Sequence, residues 1–268
     1  MNATAPSRTA RAAAEYFGGL ASSYDDHYER DTADGHALRA RLTATLFLVG
    51  DGPGELLDAG MGPGRLVAQA AEQGWTVSGV DASAAMVELA RARLPEASDR
   101  LRVAPIEALP FPDGSFDAVT ATGVLEYSDL PAALDELARV LRPGARAIVS
   151  YPNPRALYGI WKTRVWYPAM RSVKRALRRE NPEMPRGAGE RPPEHFTALL
   201  AAAGLLPVSS VYTSYLPVPT PLERLAPRAA ARLAERLESR APRGGRLLAT
   251  QIVYVARRAA HPGAGATA

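Results

Sequence analysis

Hydrophobic positions change period along the chain. From Tyr16 to Leu48 they recur at helical spacing, with a break at Gly18-Gly19. From Glu55 onward they gather into short apolar runs separated by helical stretches. The runs at 55–59, 76–81, 101–104, 116–122 and 145–150 read as strands, and 64–73, 83–93 and 131–141 as helices. Leu66, Val67, Ala70 and Ala71 share one helical face and would cover a sheet. Ser83 suits an N-cap, and Gly74 and Gly144 sit just past predicted helix ends. Strands alternating with helices imply parallel βαβ units in a doubly wound α/β sheet.

The pattern changes after residue 150. Residues 151–191 carry prolines, tryptophans and arginines with no strand signal. A helix near 193–203, a strand near 206–212, an amphipathic helix over 221–240 and a last strand at 248–256 follow. The sheet is therefore expected to have seven strands, mostly parallel. Four segments result: 15–50 helical, 51–154 the first part of the α/β core, 155–191 an insert, and 192–258 the rest of the sheet with a helical insertion. Residues 1–14 and the Pro/Gly/Ala stretch from His261 are expected to lack regular structure.

Composition narrows the picture in two places. There is no cysteine among the 268 residues, so disulfides and thiolate metal sites are excluded and no metal is expected. With a small, polar start from Met1 to Arg11 and no run of about 20 apolar residues, a cytoplasmic protein is expected. The net charge of +4 is modest, but residues 155–191 hold ten Lys and Arg against Glu180, Glu183 and Glu190. There Tyr158, Trp161, Trp166 and Tyr167 interleave with Arg155, Lys162, Arg164, Arg171, Lys174 and Arg175. Helical spacing would put aromatics on one side and cations on the other. Such a face can cap a cavity, lie on an anionic membrane, receive an acidic carrier protein, or stack on RNA.

The densest chemistry lies at Leu56-Leu57-Asp58-Ala59-Gly60-Met61-Gly62-Pro63-Gly64. A strand ends in an acid, then three glycines at alternate positions lead into a helix. Without a Cβ, such a turn brings backbone N–H groups close to a ligand. The acid suits a positively charged ligand and would repel a pyrophosphate. The spacing is neither the G-x-G-x-x-G of a nicotinamide site nor a phosphate-binding P-loop. Asp81, at the tip of the next strand, is placed to grip the two hydroxyls of a ribose.

These two motifs resemble the first two of the class I S-adenosylmethionine-dependent methyltransferases, particularly the branch acting on quinones and small natural products. The likeness continues through Ile106-Glu107-Ala108-Leu109-Pro110-Phe111, Gly123-Val124-Leu125-Glu126-Tyr127 and Glu136-Leu137-Ala138-Arg139 to Asn153. It implies a Rossmann-like fold with 15–50 as a lid and 155–191 as a cap, and S-adenosyl-L-methionine as cofactor. Carried over by position, Gly60, Gly62 and Gly64 would line the methionine end beside Asp58. Asp81 would bind the ribose, and Met86 would lie against the adenine. Ala82, Thr122 and the lid residues Tyr16 and Tyr24 complete the set. Pro105 stands where many relatives carry an acid that accepts from the adenine amino group. Glu107 then substitutes, or Ile106 holds the ring by packing and Glu107 is a solvated loop carboxylate.

Methyl transfer from a sulfonium needs a base only if the acceptor must lose a proton. The candidates are His27, Glu126 and His195, each also readable as an ordinary surface or loop residue. The Asn/Asp-Pro-Pro-aromatic turn of many nucleic-acid and protein N-methyltransferases is absent after the fourth strand, which continues Ala121-Thr122-Gly123-Val124-Leu125. The expected activity is therefore methylation, on oxygen, of a small and partly apolar acceptor, with nucleic acid not expected as partner. An RNA methyltransferase and a non-catalytic cofactor-binding regulator are the alternatives.

Overall fold

The structure is a computed structural model that describes residues 8–176, 191–219, 221–240 and 245–260. Three helices lead: α1 (Arg8–Gly19), α2 (Ala21–Glu29) and α3 (Ala33–Val49). Then come β1 (Glu55–Ala59), α4 (Arg65–Glu72), β2 (Thr76–Asp81), α5 (Ala84–Arg93), β3 (Leu101–Val103), β4 (Phe116–Ala121), α6 (Leu130–Val140) and β5 (Leu141–Pro152). The segment after β5 forms α7 (Leu157–Trp161), a π-helical turn (Lys162–Trp166) and α8 (Tyr167–Ala176). The described chain ends with α9 (Pro193–Ala202), β6 (Leu205–Tyr215), α10 (Pro227–Arg240) and β7 (Ala249–Arg258).

One seven-stranded sheet runs in the order β3-β2-β1-β4-β5-β7-β6. The strands β1 to β5 are parallel, and β7 pairs antiparallel with both β5 and β6. The chain reverses direction across the sheet between β1 and β4, and the carboxyl ends of those strands open a crevice. Adjacent residues of β1 face opposite layers. Leu57 joins Val119, Leu134, Leu137, Phe196 and Tyr254 beneath α6 and α9. Leu56 joins Leu46, Val67, Val87, Ile148 and Val253 beneath α3, α4 and α5. The apolar run Leu56-Leu57 thus fits a strand covered on both faces.

Several sequence expectations change. The helical segment 16–48 is three helices, broken at Leu20 and again before Ala33, where the Thr32 hydroxyl accepts from the Gly35 N–H at 3.2 Å. Residues 8–14 are helical, against the expectation for 1–14; residues 1–7 and 261–268 lie outside the described residues. Gly144 does not follow a helix end. It has φ +78° and sits in β5, where the register jumps from Phe116↔Leu141 to Ala118↔Arg146. The strands β5, β6 and β7 run longer than their apolar stretches, because antiparallel pairing carries β5 to Pro152↔Gln251 and β6 to Tyr215↔Ala249. The stretch 221–240 is a short 3-10 turn, Leu222–Arg224, followed by α10. Among the described residues no helix is long and apolar enough to cross a membrane.

Candidate active site

The glycine turn after β1 is pinned from below. The N–H groups of Gly60 and Met61 both donate to the Val80 carbonyl, at 2.8 and 2.9 Å. Gly60 (φ +84°) also leaves no room for a side chain, since a Cβ there would lie 2.7 Å from that of Val124. At Gly62 (φ +53°) a Cβ would meet nothing within 4 Å, so its bare backbone borders open space. Gly64 serves packing instead, because a Cβ there would come within 2.8 Å of Ala90 on α5 and hold the two helices apart.

Two carboxylates form the floor. Asp81 spends one oxygen on the Gly62 N–H at 2.9 Å and the other on the Ser83 N–H at 2.8 Å. It thereby ties the turn after β1 to the one after β2. Burial raises its pKa, against the pull of those two donors. Asp58 accepts from the Thr120 hydroxyl at 2.7 Å. Burial pushes its pKa up to about 7, with the Asp81 charge adding to the rise. No cation is paired with either acid among the described residues.

A cavity open to solvent rises from this floor. Asp58, Gly60, Gly62, Asp81, Ala82, Met86, Ile106, Glu107 and Thr122 line it, together with Tyr24 from α2. Of the predicted site residues, these ten are brought together. Glu107 is no solvated loop acid: it is 5% exposed, one oxygen accepts the Asp129 N–H at 2.9 Å, and the other is buried without a partner.

The other predicted residues stand outside this wall. Tyr16 lies edge-on to Phe17, with ring centroids 5.3 Å apart. The Nδ1 of His27 is 3.1 Å from the carbonyl of Ser23 on its own helix. His195, in the first turn of α9, has Nε2 2.9 Å from Nη1 of Arg191. Glu126 follows β4 with its Oε2 buried and unpartnered, and burial raises its pKa. No group of three His, Asp or Glu side chains among the described residues could hold a metal ion.

The N-terminal helices roof the cavity with residues that the sequence did not single out, Phe17, Tyr28 and Arg41, and Tyr127 joins them from the turn after β4. Phe17 packs edge-on against Tyr24 and Tyr127, at centroid distances of 6.1 and 5.6 Å. Burial pushes the Tyr24 phenol up to about 12. Helix α2 is tied to the turn by charge. Arg65, at the start of α4, reaches Asp25 at 2.9 Å and Glu29 at 2.7 Å and stacks on Tyr28. Arg93 of α5 holds Asp25 and the Pro63 carbonyl. The signals for this roof in the sequence are the aromatic-rich segment before the first strand and the lid that the family resemblance implies for 15–50.

The basic insert contributes no lining residue from 155–172. Tyr158 is buried with Ala33, Ala37, Leu216 and Ala230. Aromatics and cations do not segregate to opposite sides, since Lys162 lies over the rings of Tyr158 and Tyr167 at 5.6 and 5.5 Å. Residues 177–190, including Arg178 and Arg179, lie outside the described residues.

Comparison with known proteins agrees with this geometry. Residues 57–149 match a family model described as a methyltransferase domain. A malonyl-[acyl-carrier protein] O-methyltransferase of Enterobacter lignolyticus is 38% identical over 135 residues, 50% of this chain and 51% of that protein. A demethylmenaquinone methyltransferase of Thermus thermophilus is 36% identical over 151 residues, 54% of this chain and 68% of that protein. The match thus spans about half the length of the first relative. Among solved structures, the geranyl diphosphate C-methyltransferase of Streptomyces coelicolor superposes with TM-score 0.60 at 18% identity, covering 95% of this chain and 100% of that one. At that identity it speaks to the fold alone.

Proposed function

The chain belongs to the class I S-adenosylmethionine-dependent methyltransferases, and from that premise we propose that it transfers the methyl group of S-adenosylmethionine to an oxygen of a small, partly apolar acceptor. The observation that carries the reading is the floor, where Asp81 and Gly62 are locked together beneath an open cavity. The residues suit the cofactor. Gly62 leaves room where a side chain would stand, Glu107 offers an orphaned buried oxygen, and Asp58 presents an acid with no cation paired to it among the described residues.

In this reading Asp81 uses its remaining lone pairs on the ribose hydroxyls. Met86 and Ile106, both nearly fully buried, pack against the adenine. The free oxygen of Glu107 accepts from the adenine amino group, the contact that Pro105 cannot make. Asp58 faces the positive end of the ligand. The cofactor, when bound, supplies a methyl group already activated on a sulfonium. The chain supplies alignment and the exclusion of water, and orientation of that kind is worth roughly 7–11 kcal/mol. Phe17, Tyr24 and Tyr28 exclude water from above. None of the candidate proton acceptors lines the cavity, so this reading assigns no base, although Glu126, beside the lining residue Tyr127, has a buried and unpartnered Oε2 and a proton affinity raised by burial. Arg164 and Arg171 on the insert are exposed cations. They favour a second reading in which the acceptor arrives on an acidic carrier protein, as in the malonyl relative.

Calorimetry with S-adenosylmethionine, S-adenosylhomocysteine and NAD tests the cofactor. Micromolar binding of both sulfur compounds is expected, and binding of NAD alone would overturn the reading. Label transfer from the cofactor to a panel of free and carrier-linked acids, phenols and quinols tests the acceptor. Tight cofactor binding with no turnover on any of them would favour a regulatory protein.

A further inference from the structure

The stretch 155–176 holds six Lys and Arg and no acid. Arg155 is paired with Glu194 at 2.8 Å, whereas Arg164 and Arg171 are exposed and make no ion pair with a described residue. Large apolar side chains stand in water among these cations. Leu157 and Ile160 on α7, Val165 in the π-helical turn and Tyr167 at the start of α8 are 53%, 36%, 45% and 40% exposed. The other side of the segment is anchored, because Tyr158 is buried in the small core with Ala33, Ala37, Leu216 and Ala230. The chain that borders this core at Val218 leads on to Leu222 and Leu225, again exposed and again beside an exposed arginine, Arg224.

The hydroxyls of the segment are already satisfied within it. Thr163 donates to the Gly159 carbonyl at 2.9 Å, and Ser172 donates to the Pro168 carbonyl at 3.1 Å. Withdrawing this face from water therefore strands no hydroxyl donor. The face also adjoins the cavity. Burial raises the proton affinity of Tyr127 in the cavity wall, and the nearby Tyr167 adds to that rise.

Two chemistries thus meet on one surface. An acidic carrier protein would pair with Arg164 and Arg171, but it would leave four large apolar side chains without a role. A bilayer interface takes up both kinds of residue. Apolar side chains enter the acyl boundary, aromatic rings sit at the head groups, and cations meet anionic lipid. Among the described residues no helix is long and apolar enough to cross a membrane, so such a contact lies in the interface.

We propose that α7, the π-helical turn and the start of α8 form a surface by which this protein docks on an anionic lipid bilayer. The proposal goes beyond the methyltransferase reading and does not depend on it. Together with that reading, it would bring the cavity to the layer in which a partly apolar acceptor collects.

Co-sedimentation with vesicles of phosphatidylglycerol and with vesicles of phosphatidylcholine tests it. Wild type should partition onto the anionic vesicles at least about tenfold more strongly, and the excess should fade in high salt. A cation at an anionic surface is worth roughly fivefold in partition, so Arg164→Gln with Arg171→Gln should lose about 20–30-fold. Leu157→Ser with Val165→Ser should lose at least about tenfold, at low salt as well. Both double variants should keep the wild-type melting temperature and affinity for S-adenosylhomocysteine, since none of the four residues lines the cavity. Emission of the half-buried Trp161 and Trp166 should shift to the blue on anionic vesicles, whereas Trp75 is already buried. The proposal is overturned if wild type binds neither vesicle, if it binds both equally, or if either double variant binds as wild type does. Binding of an acidic acyl-carrier protein without any vesicle binding would overturn it too and assign the arginines to the carrier. A wild type that docks on anionic vesicles but binds no S-adenosylhomocysteine would support the docking surface and sink the methyltransferase reading alone.

Discussion

The carboxylates on the floor of the cavity and those on its roof live in opposite environments. Asp58 and Asp81 are buried and have no cationic partner among the described residues, and both pKa values are raised. Asp25 in α2 sits between Arg65 and Arg93. Burial alone would raise its pKa, but the hydrogen bonds from the two arginines outweigh that and hold it below the usual carboxylate range. The floor is therefore electrostatically incomplete until a positive ligand arrives, whereas this part of the roof is already neutralised. Ligand charge should be read by the floor, and the roof helix α2 should respond to the ligand through packing.

The comparison is tested hardest at Asp81. Hydrogen bonds to a charged group are worth about 1.5–3 kcal/mol each, so Asp81→Ala should weaken cofactor binding at least tenfold. It should leave hydrogen exchange of α2 in the free protein unchanged. An unchanged dissociation constant in a folded variant would remove Asp81 from the site.

Asp58 gives the next largest effect, and its sign is definite. Its carboxyl is pushed up to about 7, so the free protein holds it largely protonated in mildly acid solution. A cationic ligand favours the ionised form, so binding releases a proton. Cofactor affinity should rise with pH through about 7 and level off above it. Below that point it should fall by up to about tenfold per pH unit. The contribution of Asp58 to the stability of the free protein runs the other way. The unfolded chain ionises Asp58 near 3.8, so that contribution is fully present below this value and is lost as pH rises through about 7. Calorimetry in two buffers of different ionisation enthalpy measures the released proton, and Asp58→Asn should abolish that release. A pH-independent affinity in wild type would show that the ligand's charge does not reach Asp58.

The same contrast explains what the sequence reveals. The floor is written locally. Strand ends fix where Asp58 and Asp81 stand, and the glycine spacing fixes the turn between them, so neighbouring residues suffice to read it. The roof is written in tertiary contacts. Nothing adjacent to Phe17, Arg41 or Tyr127 shows that α1, α3 and the turn after β4 converge. His27 and His195 attract notice because histidine is chemically versatile, yet neither lines the cavity. The described part of the insert is likewise governed by tertiary contacts: Tyr158 joins a small core with α3 and α10, and Lys162 lies over the rings of Tyr158 and Tyr167. Gly144 has the residue type of a helix stop, but the bulge pairing β5 with β4 claims it.

The smallest expected effect falls on the roof. Asp25 is 35% exposed at its side chain, and ion pairs of that kind contribute only about 0–1 kcal/mol. Asp25→Asn should therefore weaken cofactor binding by less than about fivefold. Its clearer signature is motion: amides of 21–29 should exchange faster in the free variant, and bound S-adenosylhomocysteine should restore most of the protection. The pH dependence must also have the sign opposite to that of Asp58. Because the folded Asp25 carboxyl titrates below its unfolded value, its contribution is present above the ordinary carboxylate range and disappears as pH falls through the lowered pKa. Protection of α2 should accordingly drop in acid, while the floor gains stability from protonated Asp58. If exchange in 21–29 were identical in wild type and Asp25→Asn, the aromatic contacts of Phe17, Tyr24 and Tyr127 would be holding the roof alone, and the ionic contrast between the two sides of the cavity would lose its mechanical meaning.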